Sequence, residues 1–168
     1  MHTSSVIKNR GSGRGFTMVE LVLVLTIAGV LAAVMGPRMI DRSAFQTHGG
    51  AAEIRTALRY AQKLALAKNR EVCVDATAPT SLTLTFNPTT TTGAPCGSQV
   101  IRTDGSSPDY TVTLPAGIGL VAVPVTAFRF NAQGRPINNA GALLNALTTL
   151  TVGGSAQVLV EPETGYVH

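Results

Sequence analysis

Between Phe16 and Gly36 only Glu20 ionises. A carboxylate inside a membrane-length apolar run is costly, so its presence asks for a partner or an exit to water. A second acidic pair, Glu161 and Glu163, stands two residues apart, a spacing that shares one face of a strand and suits acid–base work or Ca²⁺. Pro162 between them breaks the strand, so the pair reads as a polar turn. Three histidines, His2, His48 and His168, are too scattered for a metal centre, and His48 beside Gly49-Gly50 reads as a surface loop residue. No H-E-x-x-H, G-x-S-x-G or C-x-x-C occurs. The glycines of "GSGRG" (11–15) follow no strand, which a phosphate loop requires. The expectation is no enzyme, no cofactor and no bound metal.

Cys73 and Cys96 are the two cysteines, and both follow the apolar run. In an oxidising compartment they suit a disulfide; two free buried thiols are the alternative. A bridge would close a loop of 24 residues, worth roughly 3 kcal/mol in the chain-entropy account.

The elements that must carry these residues change along the 168-residue chain. Residues 1–15 are polar, basic and rich in Gly and Ser, and read as a removable leader. From Leu21 to Gly36 the only polar residue is Thr26, with no polar stripe, and the run from Phe16 is about the length that spans a bilayer. Lys8, Arg10 and Arg14 on its N-terminal flank predict a cytoplasmic N-terminus and a translocated body. Pro37 predicts a kink or pause, and 39–50 a polar stretch. In 51–70, Ile54, Ala57, Leu58, Ala61, Leu64 and Ala65 recur at helical spacing, with Glu53, Arg55, Arg59, Gln62, Lys63 and Arg70 on the other face, which reads as solvated; a basic patch is the alternative.

Beyond Asn69 the period becomes two. The segments 71–76, 81–87, 99–103, 110–115, 127–132, 147–152 and 156–161 read as strands, and Gly153-Gly154, with Ser155, as a tight hairpin turn. The segments 87–98 and 104–109 read as loops. The predicted fold class is α+β: a long N-terminal helix, membrane-spanning then amphipathic, on an antiparallel sheet or small sandwich. The domain division is 1–15 leader, 16–40 transmembrane and assembly helix, 41–168 periplasmic domain.

The net charge of +4 raises the question of an acidic partner. Without the three leader cations, however, ten basic residues face nine acidic ones, so the body is close to neutral.

Residues 14–39, "RGFTMVELVLVLTIAGVLAAVMGPRM", resemble the class III signal of type IV pilins and type II secretion pseudopilins. The match lies in Gly15 before the junction, Phe16 after it, then Thr17, Glu20 as fifth residue of the mature chain, and Pro37 ending the apolar stretch. The resemblance implies cleavage by prepilin peptidase between Gly15 and Phe16 and N-methylation of Phe16. It also implies assembly with other pilins through the apolar helix, on an inner-membrane platform, from a lipid-embedded precursor. Glu20 would then accept the ammonium of a neighbouring subunit's Phe16 and set the axial register; the alternative is that it snorkels to the headgroups.

The helix "LRYAQKLALAKNREV", the turn "FNAQGRP" (130–136) and the ending "VLVEPETGYV" are similar to the GspH/FimT family of minor pilins and pseudopilins, weakly between Thr77 and Val125. Within it, the tracts around 37–49 and 57–74 look most like the C-type minor pilins of mannose-sensitive haemagglutinin (MSHA) pili, which implies a low-copy initiating or capping subunit. The alternatives are an H-type pseudopilin of type II secretion and a FimT-like DNA-binding pilin. For the last, Arg129 and Arg135 are the candidate phosphate contacts, but the ending "PETGYVH" has no arginine and nucleic acid is not the expected partner.

Overall fold

The structure is a computed structural model that describes residues 16–35, 42–102 and 109–168. It divides into two compact units, one up to Asp41 and one from Arg42 to His168. The expected leader (1–15), Pro37 and most of the expected loop at 104–109 lie outside the described residues.

The first unit contributes α1 (Met18–Met35). Thr17 starts it: its hydroxyl oxygen accepts the backbone N–H of Glu20 at 3.2 Å, as an N-cap does for the third residue of a helix. Apolar side chains point to all sides, from Met18 (83% exposed) to Leu31 (50%).

The second unit opens with α2 (Arg42–Lys68). Its buried stripe is Ala51, Ile54, Ala57, Leu58, Ala61 and Ala65, as the helical spacing predicts. The helix begins earlier than composition suggests, so His48 is an exposed helical residue rather than part of a loop. Gly50, which reads as a breaker, is there for space. A Cβ on it would stand 2.7 Å from Leu114 Cδ2 and 3.5 Å from Val152 Cγ1. The C-terminus closes as a Schellman motif: Asn69 is left-handed (φ 49°), Arg70 N–H donates to Ala65 O at 3.2 Å and Asn69 N–H to Leu66 O at 3.4 Å.

Nine antiparallel-paired strands follow among the described residues: β1 (Val72–Asp75), β2 (Ser81–Phe86), β3 (Ser98–Gln99), β4 (Tyr110–Thr113), β5 (Leu120–Val123), β6 (Ala127–Phe130), β7 (Pro136–Ile137), β8 (Thr148–Val152) and β9 (Ala156–Val160). The first sheet runs β3-β2-β1-β6-β7 and the second β5-β8-β9. β4 pairs with Ser81–Leu84 and β3 with Thr85–Phe86, so both share one edge of β2. The expected strand at 99–103 reduces to the two residues of β3, while β5 and β7 were not foreseen. The Gly153-Gly154 hairpin forms as expected, with φ of 56° and 73° and Val152 paired to Ala156.

α2 packs on strands of both sheets. Period-two alternation sends Val72, Val74, Leu82, Leu84, Phe128 and Phe130 of the first sheet and Leu150, Val152, Val158 and Val160 of the second into one core with the α2 stripe. Each of these ten strand residues is at most 1% exposed.

Candidate functional site

Two places concentrate the residues singled out by sequence: the first turn of α1 and the outer face of the first sheet.

Phe16 and Glu20 are both exposed, Phe16 at 78%. Glu20 enters none of the ion pairs found among the described residues. Its position in the first turn sets the carboxylate at the positive end of the helix dipole. Residue type alone points to no capping role for Thr17. The available signal is the spacing T-x-x-E, in which a helix start and an acid three residues on belong to one capping unit. The same six residues, Phe16 to Leu21, thus begin the helix and present its only charge. Gly15, the other half of the expected cleavage junction, lies outside the described residues.

No helix among the described residues is long and apolar enough to cross a membrane. The 18 residues of α1 rise about 27 Å at 1.5 Å each, against roughly 30 Å of hydrocarbon. The rest of the expected span, 36–40, lies outside the described residues.

On the outer face of the first sheet, Cys73 sits opposite Arg129 in the β1–β6 register. Cys73 is bonded to Cys96, with Cα atoms 6.2 Å apart. The bridge draws the loop 87–97 towards the sheet, and Arg129 ends up only 7% exposed. Its Nη1 donates to Glu71 Oε2 at 3.0 Å and to Ala94 O at 2.7 Å. Glu71, also 7% exposed, accepts Gly93 N–H on both oxygens at 3.1 Å and Asn87 Nδ2 at 3.3 Å. Asn87 Nδ2 donates in turn to Thr91 O at 2.7 Å.

This corrects the reading of Arg129 as a phosphate contact. An arginine between two core phenylalanines of a strand points to the outer face, but here the loop covers that face and a buried carboxylate takes the charge. Arg135 is also engaged: its Nη2 lies 2.8 Å from Glu163 Oε2. Glu161 meets His168 Nε2 at 3.1 Å. The two acids therefore turn to separate partners after β9, Glu161 to His168 and Glu163 to Arg135, and do not converge, in keeping with the polar turn. Among the described residues no cluster of His, Cys, Asp and Glu is placed to hold a metal.

Comparison with known proteins adds two family matches. Residues 50–163 match the family described as "Type II transport protein GspH", and residues 10–36 match the "Prokaryotic N-terminal methylation motif". Two proteins of Pseudomonas aeruginosa, each named "Fimbrial protein", are 33% identical over 107 residues, 63% of this chain and 68% of theirs. The crystal structure of the P. aeruginosa type IV minor pilin FimU in space group P21 superposes with a TM-score of 0.51. It is 13% identical and the match covers 75% of this chain and 89% of FimU, a likeness of fold.

Proposed function

The chain belongs to the GspH family and carries the N-terminal methylation motif of pilins and pseudopilins, and from that premise we propose that it is a minor subunit of a type IV, MSHA-like pilus. In this reading prepilin peptidase cuts between Gly15 and Phe16 and methylates Phe16. Residues 16–40 hold the subunit in the inner membrane with the leader in the cytoplasm, and 41–168 stand in the periplasm. An inner-membrane platform then moves the subunit into the fibre, at initiation or at the tip.

The observation that carries the reading is the contrast between α1 and the body. The body buries its own apolar stripe, whereas every described large apolar side chain from Phe16 to Leu31 is at least half exposed. Such a helix needs lipid or other helices around it. Glu20 then becomes affordable: in lipid it stands near one end of the span, and in the fibre it meets the Phe16 ammonium of a neighbour.

The test is the full chain with Glu20→Ala in its native cell. Expected is normal cleavage and a drop of about tenfold or more in the amount recovered in sheared fibres, as for loss of a charge pair buried between subunits. Normal entry of the variant would overturn the registry role. The GspH match favours a second reading, an H-type pseudopilin of type II secretion. The fibre with which the protein co-purifies separates the two.

A further inference from the structure

Three cations of α2 stand in one row. Arg55, Arg59 and Lys63 follow each other at four-residue spacing, so each step rises about 6 Å on one side of the helix. The row runs beside β9 and the chain's last residues. Arg55 Nη2 donates to Gln157 O at 3.4 Å and Arg59 Nε to Val167 O at 3.1 Å. Arg59 and Lys63 are exposed and Arg55 is partly so. None of the three forms an ion pair with a described carboxylate. The nearest acid along α2, Glu53, is taken by Arg102 at 3.5 Å. Like charges at this spacing repel along a helix, so the row costs the isolated subunit stability that a counter-charge would restore.

The geometry also prepares the row. One N–H of each arginine rests on a backbone carbonyl, which holds the side chain; Arg55 Nε is buried without a partner, so the donors left to the row are the remaining guanidinium N–H groups and Lys63 Nζ. Ordering that binding would otherwise require is already done by the fold.

Charge selects the occupant. A second copy of this chain does not fit. In the body, the described acids are engaged: Glu53 with Arg102, Glu161 with His168, Glu163 with Arg135, and Glu71 with Arg129 in the interior. Asp75 accepts the N–H and hydroxyl of Thr77, and Asp109 has its own interaction. No outward row of unpaired carboxylates is left among them to face the cations. Nucleic acid fits poorly, because three cations, two of them pinned, neutralise at most three phosphates. A helix with carboxylates at four-residue spacing has the same rise per step as the row and the opposite charge.

We propose that Arg55, Arg59 and Lys63 form a docking surface for an acidic helix face on a different subunit of the same assembly. The proposal rests on the reading of this chain as an assembly subunit, and it makes the contact heterotypic and electrostatic.

The test uses the full chain in its native cell. Arg59→Glu with Lys63→Glu should lower the amount in sheared fibres about tenfold at an unchanged level of processed protein, as for reversal of interfacial charge. Because Glu at 59 also loses the bond to Val167, Lys63→Glu alone is the second variant, expected to lose about threefold. Arg59→Lys with Lys63→Arg, which keeps the charge, should assemble within about twofold of wild type. The wild-type contact, captured in nonionic detergent, should dissociate as NaCl rises from about 0.05 to about 0.5 M. Reversal variants that assemble normally, or a complex indifferent to salt, would overturn the docking surface. If Glu20→Ala blocks assembly while the reversals do not, only the row is wrong. If Glu20→Ala and the reversals all assemble normally, the registry role falls with it. Salt-sensitive binding of a short single-stranded DNA, lost in the double reversal, would assign the row to nucleic acid and overturn it as well.

Discussion

From Phe16 to Leu31 the large apolar side chains stand half or more exposed, while from Ile54 to Val160 the core positions are sealed from solvent. The two units are close in hydrophobic character at these positions and differ in what completes them. In the body, α2 and two sheets supply each other's missing surface, and even a charged pair is closed over by a loop. In α1 no described residue of its own unit covers the side chains, so its residue types suit contacts beyond that unit. The body's sequence is thus a specification of itself, and that of α1 a specification of its surroundings.

The contrast can be broken most sharply at Glu20. Glu20→Ala should cost about tenfold or more in fibre recovery while the body's thermal midpoint in detergent stays put. A shifted midpoint would mean that α1 and the body stabilise one another. The opposite experiment falls on Glu71 and Arg129. Removing one partner strands a buried charge, and Arg129→Ala should lower the stability of the body by about 3–5 kcal/mol by denaturant titration. Replacing both together with Arg129→Met and Glu71→Leu should recover only part of that loss, because Gly93 N–H and Ala94 O then lose their partners. Opening the disulfide by Cys73→Ser with Cys96→Ser should cost about 2–4 kcal/mol, read the same way. The smallest effects come from neighbouring glycines and carry opposite signs. Gly50→Ala meets Leu114 and should destabilise by about 1–3 kcal/mol. Gly49, with nothing near its would-be Cβ, should gain about 0.5–1 kcal/mol as Ala.

Local patterns made much of this legible. The α2 stripe from Ile54 to Ala65 and six of the seven anticipated strands rest on periodicity, and the Gly153-Gly154 turn on backbone chemistry. What sequence left open depended on coverage by distant segments. Arg129 alternates with Phe128 and Phe130 and so belongs to the outward face; only the loop held by Cys96 makes that face an interior. β5 was missed because Leu120–Val123 is short and runs into Pro124, and its partner β8 lies far along the chain. The start of α2 was missed because His48-Gly49-Gly50 reads as a break, whereas Gly50 answers to the approach of Leu114 and Val152. At the candidate site Glu20 was visible as a chemical anomaly, but Thr17 was not, since a cap shows only once the helix start is known.

The loop over the first sheet has a practical meaning for anyone who would decorate this subunit. It is fastened at Cys96 and at Asn87, and between them at Gly93 and Ala94 through Glu71 and Arg129. Thr89, Thr90 and Thr92 are exposed and line a cleft shared with Asn69, Arg70 and Asn131. A peptide tag spliced beside Thr90 would ride on a base tied to the body at several points, which narrows the orientations an antibody meets compared with a tag at the end of a tether.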